Sequence, residues 1–368
     1  MFTKKISFDV GIMQQIIQSI GKIDTFKGKW GSIENKNDRY LKELRKNATV
    51  ESIGSSTRIE GAVLTDEEVQ DLIKNINITT FKSRDEEEVF GYYETLDLIL
   101  DNASAINLSE SYIKQLHAVL LKYSSKDQRH KGEYKNLPNT VVANYPDGTQ
   151  RTIFNTTAPH LTQKEMQEML DWVNTSLSER SVHPLLVIGL CVYEFLSIHP
   201  FQDGNGRLSR LITTLLLLKE GYGFAQYISL EHIIEERKKE YYQTLMHAQK
   251  ERGSDKEIIG EWMLFFLSCL EVLIEKLEKK YGEYKQKGNY TNERQQQVLQ
   301  FVEKNQPVKL GDIAKAFPEI SINTIKKDIH LLVHQQMIGK IGEKKGTIYV
   351  KGDIEHPLPP KGEPDPKK

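Results

Sequence analysis

Pro184-Leu-Leu-Val-Ile-Gly-Leu-Cys-Val-Tyr-Glu-Phe-Leu-Ser-Ile198 is apolar on nearly every side. His199-Pro-Phe-Gln-Asp-Gly-Asn-Gly-Arg-Leu-Ser-Arg210 follows directly, and Leu211-Ile-Thr-Thr-Leu-Leu-Leu-Leu218 is apolar again. A helix that is hydrophobic all round has no face to leave in water, so both flanks belong at the centre of a helical domain. Dense polar chemistry held between two rigid buried elements is how a well-aimed site is built. Pro200 stops the first helix, while Gly204 and Gly206 permit positive φ and let successive N–H groups turn inward as an anion nest. A second helix starting near Gly206 or Arg207 would aim its unpaired N–H groups and its dipole at the same point. Arg207 and Arg210, three apart on the first turn, can both reach one polyphosphate. Asp203 is a hard oxygen ligand of the kind Mg²⁺ takes beside phosphate oxygens. His199 is the one group of the loop able to exchange a proton near neutral pH.

Taken singly, a Gly-Asn-Gly is an ordinary turn, a lone His a satisfied polar residue and an Arg pair a solvated helix start. Their coincidence within twelve residues, between buried helices, favours a nucleotide phosphate site. No Gly-Lys-Ser/Thr ends the loop and no strand-borne G-x-G-x-x-G is present, which sets aside the common ATPase and dinucleotide folds.

His199 to Arg210 resembles the Fic motif, H-P-F-x-(D/E)-G-N-G-R-x-x-R, at every specified position. The resemblance implies a mainly α fold, a Fic-type helical bundle with a small β-hairpin flap. It also implies a protein adenylyltransferase that moves AMP from ATP·Mg²⁺ to a Ser, Thr or Tyr hydroxyl, either of a target protein or of the enzyme itself. It makes His199 the general base, Asp203 the Mg²⁺ ligand, and Gly204, Asn205 and Gly206 the anion loop. Arg207 would hold the β-phosphate region and Arg210 the γ-phosphate. Phe201 is expected to pack.

Upstream, Ser56-x-x-x-Glu60-Gly61 places Ser56 and Glu60 one helical turn apart, with Gly61 at a natural helix stop. The stretch resembles the inhibitory motif of Fic proteins. That resemblance makes Glu60 a carboxylate that pairs with Arg210 in place of the γ-phosphate, and also raises the reverse activity, removal of AMP. Arg pairs bidentately with either anion. Lys131-Gly-Glu-Tyr-Lys135 resembles the family's lead-in to its flap, which would be the hairpin predicted for Asn139 to Phe154 around Pro146-Asp-Gly148.

The chain has 368 residues, enough for two or three domains. With 50 Lys+Arg against 51 Asp+Glu it is not a wholly basic nucleic-acid coat, and 38% hydrophobic with 27% charged residues is an ordinary globular composition. Cys191 and Cys269 lie in apolar runs and read as core thiols. Met1 to Asp9 lacks a secretory apolar region, and the 184–198 run is too short to span a bilayer and holds Glu194, so the cytoplasm is the expected address.

Capping boxes at Thr65-Asp-Glu-Glu68, Thr162-Gln-Lys-Glu165 and Ser254-Asp-Lys-Glu257 predict three helix starts. The last would open a long helix with Trp262, Met263, Phe266, Leu270, Leu273 and Leu277 on its apolar face. The expected organisation is an N-terminal helical region over 1–95, a catalytic core over 96–288, a winged helix-turn-helix domain over 289–352 and a disordered Pro-rich tail over 353–368. The third part is read as helices Glu293 to Asn305, Leu310 to Phe317 and Ser321 to Gln336, then a hairpin. Lys326 and Lys327 on the third helix, with Lys344 and Lys345 on the wing, are candidate DNA contacts. Nine basic against six acidic residues from Thr291 to Val350 make this part only mildly basic. It could instead dock targets or form a homodimer. Two further alternatives are a nucleotide-responsive DNA-binding regulator and a Fic enzyme transferring another phosphate-containing group.

Overall fold

The computed structural model describes residues 2–34, 39–74, 81–126, 128–144, 150–257, 259–286, 291–334, 337–342 and 346–352. It divides into two compact units, 1–278 and 279–368. In chain order the first contains α1 (Phe2–Lys5), α2 (Val10–Glu34), α3 (Arg39–Ile59), α4 (Asp66–Lys74), α5 (Arg84–Asn102) and α6 (Glu110–Leu120). A hairpin of β1 (Thr140–Asn144) and β2 (Gln150–Asn155) follows, then α7 (Pro159–Glu179), α8 (Pro184–Ile198) and α9 (Asn205–Lys219). After a 3-10 turn at Gly223–Gln226 come α10 (Leu230–Glu236), α11 (Lys238–Gln249) and α12 (Gly260–Gln286).

The two apolar runs are the central helices. In α8 every residue from Val187 to Ile198 is buried, as is every residue of α9 from Arg207 to Leu217. They pack on each other, with α7 against α8, α5 and α6 against α9, and α3 laid across α9 and α10. Each fully buried Leu, Ile or Phe here contributes roughly 1.5–3 kcal/mol by leaving water, which holds the two ends of the intervening loop in fixed positions. Trp262 of α12 buries its ring and donates its indole N–H to the Gly189 carbonyl at 2.8 Å, closing the far side of α8. Cys191 and Cys269 are buried free thiols, both pushed up to about 12 by burial.

Of the three capping boxes, the first stands: the Glu68 N–H donates to Thr65 Oγ1 at 3.3 Å and the Thr65 N–H to Glu68 Oε2 at 2.8 Å, opening α4. Thr162 does not start a helix. Pro159, with its pre-set φ, opens α7 three residues earlier, and the Thr162 hydroxyl donates back to the Ala158 carbonyl. Ser254 does not start one either. The Glu257 carboxylate is taken by the Gly253 N–H, the Tyr193 hydroxyl and the Lys5 ammonium, and α12 begins at Gly260.

β1 and β2 pair antiparallel, Thr140 opposite Asn155, with a bulge between Val141 and Val142; the turn at Pro146-Asp-Gly148 lies outside the described residues. The expected division at 95/96 falls inside α5, and 1–278 is one unit. The second division lies ten residues before the expected 288, because the apolar face of α12 ends at Leu277 while the helix itself runs on as a polar rod to Gln286.

The second unit has the expected order: α13 (Glu293–Asn305), α14 (Leu310–Ala316), α15 (Ile322–His334) and an antiparallel hairpin of β3 (Ile338–Ile341) and β4 (Ile348–Lys351), with Val308 bridging to Tyr349. Val298, Val302, Ile313, Ile325, Ile329 and Leu332 form its core. Arg294 holds the buried Asp328 at 2.6 Å. Lys326 and Lys327 are exposed on α15, whereas Lys344, Lys345 and the 353–368 tail lie outside the described residues.

Candidate active site

The loop between α8 and α9 is built by its own side chains. His199 caps α8 in the left-handed region, φ 52° and ψ 60°, with its N–H on the Phe195 carbonyl. Gly204, at φ 78°, turns the chain into α9, which starts at Asn205, one residue before the earliest start read from the sequence. Asn205 staples the loop: its Oδ1 accepts the Phe201 N–H at 2.9 Å and its Nδ2 donates to the Phe201 carbonyl at 2.7 Å. Asn205→Ala leaves that buried N–H without an acceptor, and we expect a loss of about 1–3 kcal/mol, seen as a lower urea midpoint with an unchanged slope. Phe201 is fully buried and stacks flat on His117, 3.7 Å between ring centres. The His117 Nδ1 accepts the Gly132 N–H, so Nε2 carries the proton and donates to the Asp203 carbonyl at 3.0 Å. A lone His on the apolar face of α6 thus fixes the loop from below; the pattern Leu116-His117 in an apolar stripe was the only signal for it.

The His199 Nδ1 lies 3.3 Å from the Leu196 carbonyl. A carbonyl only accepts, so in the neutral ring Nδ1 carries the proton and Nε2 presents a lone pair. Burial, and next the Lys135 ammonium, lower the imidazole to about 4, against the opposing influence of the Leu196 carbonyl, Glu60 and Asp203. The ring is therefore neutral at pH 7.

His199 shares one pocket with Glu60, Asp203, the first turn of α9, and Tyr241, Tyr242, Leu245 and Met246 of α11. By helix geometry the first amides of α9 lack intrahelical acceptors and add positive potential there. The Asp203 carboxylate accepts the Gly204 N–H at 2.6 Å, and Arg207 and Arg84 stand 3.2 and 3.0 Å away. Burial would raise it, but Arg207, the Gly204 N–H and Arg84 hold it below the ordinary carboxylate range. Arg207 is buried and also pairs with Glu88 at 3.0 Å, and Glu88 pairs with Arg84 at 2.7 Å, so two guanidinium groups and two carboxylates form a closed ring. Arg84 and Glu88 carry no motif signal.

Arg210, 150 residues away in sequence, meets the end of α3. Its Nε donates to Ser56 Oγ at 2.8 Å, and its Nη2 donates to the Ser56 carbonyl at 2.9 Å and to Glu60 Oε1 at 2.7 Å. Gly61, at φ 109°, ends the helix beyond Glu60. Gly206 must be a glycine for this approach, since a Cβ there would stand 2.1 Å from Glu60 Oε1. Burial would raise the Glu60 carboxyl; Arg210, then Arg207 and His199, override it and hold it below the usual value. Arg210 Nη1 and Arg207 Nε are buried polar atoms without a hydrogen-bond partner among the described residues. The structure thus gathers His199, Asp203, Gly204, Asn205, Gly206, Arg207 and Glu60 around one pocket, and the buried Arg210, itself bonded to Ser56, joins it through Glu60. The α11 wall with Tyr241 and Tyr242 went unread, because an aromatic pair on a polar helix reads as ordinary amphipathicity.

Several known proteins are similar to this chain. The Fic/DOC family model matches residues 107–217. The protein adenylyltransferase Fic of Drosophila willistoni is 30% identical over 207 residues, 55% of this chain and 38% of that protein. The protein of the same name from Drosophila grimshawi is 31% identical over 186 residues, 50% and 35% of the two chains. The chain therefore spans little more than a third of the length of these relatives. Among solved structures, a Fic family protein from Desulfovibrio desulfuricans superposes with a TM-score of 0.66 at 20% identity, covering 93% of this chain and 97% of that one, and shares the fold. A Fic domain containing signaling protein from Bacteroides thetaiotaomicron gives 0.57 at 26% identity, covering 69% and 94%. The likeness to the Fic/DOC family is carried by residues 107–217 of this chain, which include the loop between α8 and α9.

Proposed function

We propose that this chain is a protein adenylyltransferase, moving AMP from ATP to a Ser, Thr or Tyr hydroxyl of a target protein and restrained by Glu60. One observation carries it: the His199 imidazole, its Nδ1 turned to the Leu196 carbonyl, shares a pocket with the first turn of α9, Arg207 and Glu60, and Glu60 in turn holds the buried Arg210. The names of the curated relatives point the same way.

In the proposed reaction the target hydroxyl oxygen bonds to the α-phosphorus, the bond to the β-phosphate breaks, and pyrophosphate leaves. The hydroxyl proton goes to His199 Nε2. The first-turn amides of α9 and the two arginines hold the phosphate chain in line, so most of the acceleration comes from positioning and charge. Tyr241, Tyr242 and Met246 offer a flat, partly apolar wall for a nucleobase.

The Asp203 carboxylate on the pocket wall, a third exposed and held ionised, fits Mg²⁺ bound through one carboxylate and phosphate oxygens. Asp203 would hold the ion, which when bound would neutralise phosphate charge. Arg84 would then have to share that carboxylate.

The test is incubation with ATP labelled at the α- or the γ-phosphate. Protein-bound label from the α-position alone supports AMP transfer; label from the γ-position, or none from either, overturns it. Because the folded imidazole is depressed, its basic form is already present above about pH 4. We expect kcat/KM to climb as pH rises through that value and to show no limb near the ordinary imidazole value of about 6.5.

A further inference from the structure

Four consecutive backbone carbonyls, from Ile198 to Phe201, are each met by one of two residues outside the loop. The Lys135 ammonium donates to Ile198 O at 2.9 Å and the Lys135 N–H to Pro200 O at 2.8 Å. The Asn139 amide reaches His199 O at 3.4 Å and donates to Phe201 O at 2.8 Å. The same ammonium donates to Asn139 Oδ1 at 2.9 Å and Thr156 Oγ1 at 2.8 Å. The Thr156 hydroxyl in turn lies 2.8 and 2.5 Å from the carbonyl and Oδ1 of Asn139. Asn139 immediately precedes β1 and Thr156 immediately follows β2, so both ends of the hairpin are tied to the backbone that carries His199.

Two physical facts make these bonds more than local decoration. Ile198 ends α8, where carbonyls lack intrahelical donors and a cation is favoured by the helix dipole. His199 stands at φ 52°, a conformation costing a non-glycine residue about 1–3 kcal/mol that persists only where the surroundings over-determine it. Lys135, only 4% exposed, supplies the cation and much of that determination.

Resting on the assignment of His199 as the base, we propose that Lys135 and Asn139 are positioning residues for its imidazole, clamping the foot of the β1–β2 hairpin to the carbonyls of residues 198–201. Seating of the hairpin and aim of the ring are then one event. Whatever lies along the hairpin is reported to the base through three side chains, Lys135, Asn139 and Thr156. Burial and then Arg252, opposed by Glu165, lower the lysine to about 8. Its charge is present at neutral pH and is lost above that value. The charged groups facing His199 are Lys135, Glu60 and Asp203.

The test compares Lys135→Met, which keeps the stem and removes the charge, with Lys135→Arg, which keeps the charge, both in the Glu60→Gly full-length protein. Ring ¹⁵N shifts at pH 7, assigned by difference from His199→Ala, report which nitrogen carries the proton. Steady-state kinetics of AMP transfer are measured alongside. We expect Lys135→Met to lose about 100-fold in kcat with KM for ATP little changed. The ring should pass from the Nδ1–H tautomer to a mixture, and Lys135→Arg should recover part of both. An unchanged kcat in Lys135→Met overturns the proposal. So does equal loss in both variants with the tautomer unmoved, which marks a merely structural lysine. If the Glu60→Gly parent transfers no AMP, the adenylyltransferase assignment fails instead, and the ring shifts alone decide: a single Nδ1–H tautomer in Lys135→Met overturns the clamp.

Discussion

His199→Ala is expected to cut AMP transfer by about 10²–10⁴-fold, the range a general base contributes, while the protein stays folded and still binds ATP. Fold retention follows from where the loop's energy sits. The flanking helices α8 and α9 are buried along nearly their whole lengths, and the loop is held by Asn205, His117, Lys135 and Asn139 acting on backbone atoms and Phe201, not on the imidazole. The ring's own contact with the Leu196 carbonyl is a long one, 3.3 Å, and its loss is minor. ATP binding should persist because the amides of α9 and the two arginines are untouched. Label transfer from α-labelled ATP, a thermal melt and calorimetric titration with ATP check the three parts. Transfer at the parental rate removes His199 as the base. Loss of transfer together with loss of the fold would instead make it a structural cap.

Glu60→Gly is expected to do the opposite, raising the initial rate of AMP transfer by roughly 10- to 100-fold. The carboxylate stands 2.7 Å from Arg210 Nη2 and lines the pocket of His199. A hydrogen bond to a charged group is worth about 1.5–3 kcal/mol, and each 1.36 kcal/mol is tenfold in rate. If a phosphate must take Glu60's place, that is the barrier the substitution removes. Stability should move the other way. Arg210 is buried, keeps its bonds to Ser56 and loses its counter-charge; breaking a buried pair costs about 3–5 kcal/mol. Glu60 is a third exposed, so the loss should fall at or below the low end. A polyphosphate restores the missing charge, so ATP should raise the melting temperature of Glu60→Gly more than that of the parent. Equal rates in the two proteins at saturating ATP, with equal ATP-induced shifts, would end the idea of a brake.

The same pair shows where local information stops. The helical turn separating Ser56 from Glu60, the stop at Gly61 and the first turn of α9 are each short-range facts, written in residue type and spacing. That Glu60 meets Arg210 is a contact across 150 residues, created when α3 packs on α9 and α10. The motif resemblance anticipated it; periodicity could not.

From its sequence alone the chain determined which segments are helices, where the two central ones lie and what chemistry the loop between them holds. Those properties follow from apolar spacing, proline and glycine stops and side-chain type, all settled within a few residues. Helix starts were less secure wherever a capping glutamate had a stronger distant partner, as Glu257 has in Lys5 and Tyr193. Only the tertiary structure decided that Arg207 closes a ring with Glu88, Arg84 and Asp203, that His117 props Phe201, and that Lys135 and Asn139 grip the carbonyls behind His199. The buried ones among them, Arg207, Glu88, His117 and Lys135, need partners because burial leaves them no water to bond, and which group answers which depends on how whole helices pack, a matter on which no short stretch of chain carries information.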